Sequence, residues 1–294
     1  MAVFSKLDPD LITFHILPHL DGKTLIILSS VSSQFYNLIW KINTNNSDLW
    51  RNICISTWPS LLTNFPKPDF HSSVISVLPG GYRTFFLDAF PSIHPPLNNP
   101  LPPPPIATFF YAVDIFLHEE QQPLYSLHTF TFNKTHEYVG RPIFRILFAH
   151  LSPKRKYIKV KKEGCEEYLK QKLTFSCVAI DHKGIKRAGS LFSGCKAVSA
   201  QPDHLGLGVM VVFEKVLPVP AGLSISYTEM MKCRIEVTCS WEGKREDKFF
   251  VNFIYFTMKD MNGKPLLERH GAAVILDAIQ NGERRGRNTL TQLV

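Results

Sequence analysis

The chain has 294 residues, 45% of them apolar, and a formal net charge of +8. That length suits one large domain or two ordinary ones with a full core, and no run of about 18 apolar residues exists to cross a membrane. The opening MAVFSKLDPD has no basic region leading into an apolar run, so no secretory signal is expected; six cysteines without a C-x-x-C spacing suit reduced thiols in an intracellular protein of the nucleus or cytoplasm.

Three or four short amphipathic helices are predicted between residues 7 and 61. Asp8 is placed to cap the first, and Pro9 suits its first position, where a missing N–H costs nothing. Ile12, Ile16 and Leu20 recur every four residues with Leu17 beside them, which makes one apolar stripe. Asp21-Gly22 breaks that helix. A second carries Leu25, Ile26, Ile27 and Leu28. Val31-Ser32-Ser33 bends the chain into a third, with Phe35, Leu38 and Ile39. After a polar loop at 43–46, Ser47 or Asp48 caps a fourth, with Leu49, Trp50 and Ile53 on one side. These apolar side chains exceed what so short a module buries alone, and the surplus points to a partner protein.

The run DGKTL…VSSQFYNL…LWRNICISTWPSL, followed by GGYRTFF at 80–86, resembles the plant-type F-box family. That family uses its N-terminal helices to dock on the Skp adaptor of cullin-based ubiquitin ligases. The resemblance implies an adaptor-facing set of Pro9, Ile12, Ile16, Leu17, Leu25, Leu28, Val31 and Trp50. Two positions depart from the general motif: Asp8 stands where a leucine usually precedes the proline, and Phe35 or Tyr36 replaces a tryptophan of the third helix.

Eight of the fifteen residues from Pro91 to Pro105 are proline. Such a stretch favours extended polyproline conformation and acts as a spacer. Just before it, Tyr82, Phe85, Phe86 and Phe90 are spaced for a short helix. From Ile106 the texture turns to strands, at 109–117, 124–132, 143–148, 173–179, 185–192, 208–216, 235–241 and 249–258. In several of them, such as Ile235, Val237, Cys239 and Trp241, apolar residues alternate with polar ones. Turns are expected at 181–184, 242–243 and 262–263, and a helix over 265–281. The expected fold class is α+β: an all-α N-terminal module (1–60), a proline-rich connector with a short aromatic helix (61–106), and a β-sandwich-like domain with a C-terminal helix (107–294).

The first sixty residues hold four basic and four acidic side chains, so the whole positive excess lies beyond them. It concentrates in PKRKYIKVKK at 153–162 and ERRGR at 283–287. These read as a solvated loop and a soluble tail, with attraction of acidic partners or nucleic acid as the sharper alternative. No phosphate-binding glycine loop, H-E-x-x-H or G-x-S-x-G occurs. His15 and His19 have metal-compatible spacing, but no second pair faces them. No enzyme, cofactor or metal is therefore expected.

By this resemblance the chain is a substrate receptor: it binds a Skp-family adaptor, through it a cullin ligase, and an unidentified protein target, with no membrane partner. Two alternatives stay open. One is a lectin-like or small-molecule-binding β domain; the other is a basic nucleic-acid binder, with nucleic acid the less expected partner.

Overall fold

The computed structural model describes residues 7–41, 46–62, 75, 78–89, 109–118, 123–130, 136–138, 141–150, 157–181, 186–203, 206–224, 227–242 and 248–282. The proline-rich stretch 91–105, the loop residues 43–45, residues 153–156, the turn residues 182–184 and the 283–287 cluster lie outside them.

The Asp8 carboxylate accepts the Asp10 N–H at 2.9 Å and opens the first helix, α1 (Pro9–Leu11). The single regular helix expected here does not form. The chain widens into a π-type turn over Ile12–Ile16, then tightens to a 3-10 turn over Leu17–His19. Pro18, inside that last turn, has no N–H to extend a regular ladder. Helix α2 (Gly22–Val31) starts at once, capped by the Asp21 carboxylate, which accepts the Thr24 N–H at 2.7 Å. That bond holds the Asp21 carboxyl below its usual range. Gly22 is required by contact, because a Cβ there would run into the Phe86 ring. Helix α3 (Ser33–Tyr36) runs into a π-type turn over Asn37–Lys41. Helix α4 (Asn46–Thr57) ends in a 3-10 turn at Pro59–Leu62, and α5 spans Gly81–Ala89.

Two antiparallel sheets follow. The first has the order β2-β1-β6-β7, from β1 (Phe110–Leu117), β2 (Tyr125–Phe130), β6 (Leu173–Asp181) and β7 (Arg187–Lys196). The second has the order β5-β11-β10-β9-β8, from β5 (Arg145–His150), β8 (Ser199–Pro202), β9 (Gly208–Pro218), β10 (Met230–Trp241) and β11 (Phe249–Asp260). A small hairpin pairs β3 (His136–Tyr138) with β4 (Arg141–Ile143). Inward side chains of both sheets share one core: Phe175 meets Phe213 at 5.3 Å between ring centres, and Tyr111 meets Phe148 at 5.1 Å. Helices α6 (Cys165–Lys172) and α7 (Glu268–Asn281) add Leu169, Val274 and Ile275 to it.

The first sheet is buried on both faces. Along β1, Tyr111, Val113 and Ile115 enter the sandwich core, while Phe110 and Ala112 enter a second core with the N-terminal helices. Val178, Ile180 and Ala188 of β6 and β7 join them, opposite Trp50, Trp58, Phe85 and Phe86. A strand covered on both sides reads as a continuous apolar run, as FYAVDIFL does.

Candidate functional site

The residues expected to face an adaptor divide by burial. Ile12, Leu17 and Leu25 are fully buried in the core that the N-terminal helices share with the sheet, and Trp50 is 1% exposed there. Trp50 stacks on Trp40 at 4.7 Å and packs against Phe86 at 5.2 Å. Ile16 and Leu28 are half-buried against the same core, while Pro9 and Val31 are exposed. The structure therefore brings Ile12, Leu17, Leu25 and Trp50 together beneath the helices and leaves Pro9 and Val31 on the surface.

Three large apolar side chains outside the set implied by the resemblance are left on the surface by the fold. Leu11 is 45% exposed, Phe14 53% and Ile27 52%; Val31 is 58% exposed. Leu11 and Phe14 are three apart on the first helical stretch, and Ile27 and Val31, four apart on α2, share one helix face. Isolated apolar residues on a surface are ordinary, but two pairs on neighbouring helices of a short module are not. A covering partner that hides the exposed half of each would gain roughly 1 kcal/mol apiece. His15 and His19 are exposed and join no group that could hold a metal among the described residues.

Polar contacts fix the helices on the sandwich. Asp114 of β1 is fully buried on the helix-facing side of its sheet. Its Oδ1 accepts the Ser60 N–H at 2.9 Å and the Ser126 hydroxyl at 2.6 Å, and its Oδ2 accepts the Ser60 hydroxyl at 2.7 Å. Burial pushes the Asp114 carboxyl up to about 6, against the pull of those three donors. At a second point, Arg187 of β7 forks onto Asp88 of α5 at 3.0 and 3.3 Å and donates to the Gln280 carbonyl of α7 at 3.2 Å. Arg83 of α5 donates to the Trp40 carbonyl at 2.7 Å, which ties α5 back to the third helix.

Sequence relatives cover nearly the whole chain. It is 26% identical to F-box protein At2g27310 of Arabidopsis thaliana over 291 residues, covering 95% of this chain and 80% of that protein. It is 28% identical to the probable F-box protein At2g36090 of the same plant, again over 291 residues, covering 96% and 76%. A third relative, F-box protein At3g44326 of Arabidopsis thaliana, is 34% identical over 112 residues, which is 38% of this chain and only 28% of the relative. The chain is similar to plant F-box proteins along most of its length. No family model matches it, and no solved structure does.

The sandwich carries two further polar clusters. One is a cleft of about 350 Å³ at the outer face of the second sheet, lined by Glu214, Lys232, Arg234, Glu236, Lys259 and Asp260. Its charges satisfy one another: Arg234 reaches both Glu214 and Glu236 at 2.8 Å, and Asp260 holds the turn through the Asn262 and Lys264 N–H groups. In the other, the Tyr227 hydroxyl lies 3.0 Å from His270 Nδ1, and Arg269 donates to His270 Nε2 at 3.1 Å. Desolvation, with Arg269 and Lys264 nearby, moves the His270 pKa down. A neutral imidazole accepting from Arg269 at Nε2 carries its proton on Nδ1, facing Tyr227. The six cysteines form no disulfide, and burial pushes the thiols of Cys54, Cys177, Cys233 and Cys239 upward. That leaves them poor nucleophiles at neutral pH. Among the described residues, no helix is long and apolar enough to cross a membrane.

Proposed function

We propose that this chain is the substrate-recognition subunit of an SCF-type ubiquitin ligase. Its N-terminal helices bind a Skp-family adaptor, and its β-sandwich holds a protein target. The observation that carries the reading is the exposed apolar set Leu11, Phe14, Ile27 and Val31 on helices whose other faces are already buried. Pro9 and Val31 touch the adaptor in this reading. Ile12, Leu17, Leu25 and Trp50 shape the surface from beneath, and Ile16 and Leu28 lie at its margin. The contribution to the reaction is proximity: a target held near a ubiquitin-charged enzyme experiences a raised effective concentration, with no bond made or broken by this chain's own side chains.

Co-purification with a Skp-type adaptor tests it. The Phe14→Arg/Val31→Arg double variant should lose adaptor capture while keeping the wild-type unfolding midpoint, since both side chains are more than half exposed. Capture at wild-type level by a folded double variant would overturn the reading.

A further inference from the structure

Of the basic run 153–162, expected as a solvated loop, residues 157–162 are described, and they are tied to the second sheet. Ile158 exchanges both backbone hydrogen bonds with Phe249 of β11, at 2.9 and 3.1 Å. Ile158 and Val160 are buried in the sandwich core, while Tyr157, Lys159 and Lys161 are exposed. This is the period of a strand, and it continues the line of β5 along β11. Successive outward side chains on such a strand stand about 6.6 Å apart. Because Ile158 points its N–H and C=O at Phe249, Tyr157 and Lys159 point theirs the other way. The Lys159 N–H and C=O find no partner among the described residues, and Lys159 and Lys161 make no ion pair there.

We propose that this edge is a docking strip for an extended acidic segment of a protein, which adds as a strand and sets carboxylates against Lys159 and Lys161. Backbone pairing supplies the binding, and the alternating lysines select for acid at every second position. The identification of this partner as the ubiquitination target rests on the receptor reading above. Lysines on an edge also repel unwanted strands. An acidic strand is the one kind they attract.

The neighbouring aromatics argue against nucleic acid. Lys248 lies over the Tyr157 ring at 5.0 Å, Phe250 packs edge-on to it, and its hydroxyl donates to Glu242 at 2.8 Å. Trp241 packs on Phe249 at 4.8 Å, and Lys162 lies over its ring at 5.9 Å. Rings occupied in this way offer no platform on which bases could stack.

The test uses the full chain and a fluorescent peptide of alternating glutamate and valine, read by anisotropy. The wild type should bind it, and binding should weaken with salt. Lys159→Glu/Lys161→Glu should weaken it about tenfold, as two surface charge contacts turned from attraction to repulsion imply. Lys159→Gln/Lys161→Gln should lie between, and the unfolding midpoint of either variant reports whether the fold is intact. The Lys159 amide should exchange more slowly with peptide bound. No binding, equal binding by the folded variants, or tighter binding of oligothymidylate or anionic vesicles than of peptide would overturn the proposal. Adaptor capture by the same proteins separates the two ideas. Peptide binding without capture keeps the strip and removes the receptor reading; capture without peptide binding does the reverse.

Discussion

Asp114 gives the helix–sandwich junction a pH dependence with a definite sign. The carboxyl is buried without a cation in hydrogen-bonding contact, and its pKa moves from 3.8 to about 6. A raised native pKa means that the folded protein binds the proton more tightly than the unfolded chain. The stabilisation from this group is therefore complete below about pH 4 and is lost as pH rises through 6. A shift of about two units corresponds to on the order of 3 kcal/mol between those limits. Asp114→Asn isolates the effect. Its amide oxygen can keep the Oδ1 position, accepting from Ser60 N–H and Ser126, while its NH2 faces the Ser60 hydroxyl as a donor. The variant should resemble the protonated wild type. Urea unfolding from pH 4.5 to 7.5 should show wild-type stability falling relative to the variant, with the two converging at the acid end. Asp277, whose carboxyl is also pushed up by burial, and Asp21, held low, contribute equally to both proteins and cancel in the difference. Parallel curves for the two proteins, or a variant less stable at every pH, would refute the reasoning.

Two other expectations follow from the shared core. Trp50→Ala should cost about 3–5 kcal/mol of folding stability with or without adaptor, because the ring is 1% exposed and stacked on Trp40. Trp50→Phe should cost less, since it also removes a buried indole N–H that has no hydrogen-bond partner among the described residues; a loss confined to the adaptor complex would place Trp50 on the docking surface instead. Residues 107–294 alone would expose Phe110, Ala112, Val178, Ile180 and Ala188 and leave Asp114 without Ser60. That fragment should bind a hydrophobic dye and unfold more easily than the whole chain, and a dye-free fragment of full stability would count against the shared core.

Much of the fold was legible because the strands obey period two. Residues 235–241 alternate, and β10 buries Ile235, Val237 and Cys239. The Asn262-Gly263 turn places its glycine at φ 84°, and the spacing of Tyr82, Phe85 and Phe86 becomes α5. Helix α6 was missed because CEEYLKQK buries only Cys165 and Leu169. Its signal was electrostatic, with Glu166 and Glu167 in the first turn and Lys170 and Lys172 in the last. Strand β8, SAQP, has no pattern of its own and exists by pairing with β9. Burial within the N-terminal apolar stripe was half legible. An apolar stripe does not state which of its members face the chain's own core. Here that is decided by Phe86 and Trp50, distant in sequence, which claim Ile12, Leu17 and Leu25 and leave Leu11, Phe14, Ile27 and Val31 outside. Asp114 could have been noticed as the lone acid in FYAVDIFL, but its donor Ser60 lies on a turn that no local pattern connects to it.

The shared core bears on how a receptor of this kind would work. Proximity raises effective concentration only when the two bound partners are held at a productive separation, and a slack joint spreads that benefit over a large volume. In this chain the helices do not hang from the sandwich by the proline-rich stretch alone. They cover the outer face of β1, β6 and β7 with aromatic side chains, and they are registered on it by Ser60 with Asp114 and by Asp88 with Arg187. An adaptor docked on Leu11, Phe14, Ile27 and Val31 would thereby fix the direction of both sheets, and with them the edge that carries Lys159 and Lys161. Loosening the joint at Arg187 or Asp114, neither of them among the residues of either proposed surface, should then lower ubiquitination of a bound target without weakening capture of adaptor or target. A variant such as Arg187→Ala that weakened either capture step would instead locate the effect in binding, and the joint would be a matter of stability alone.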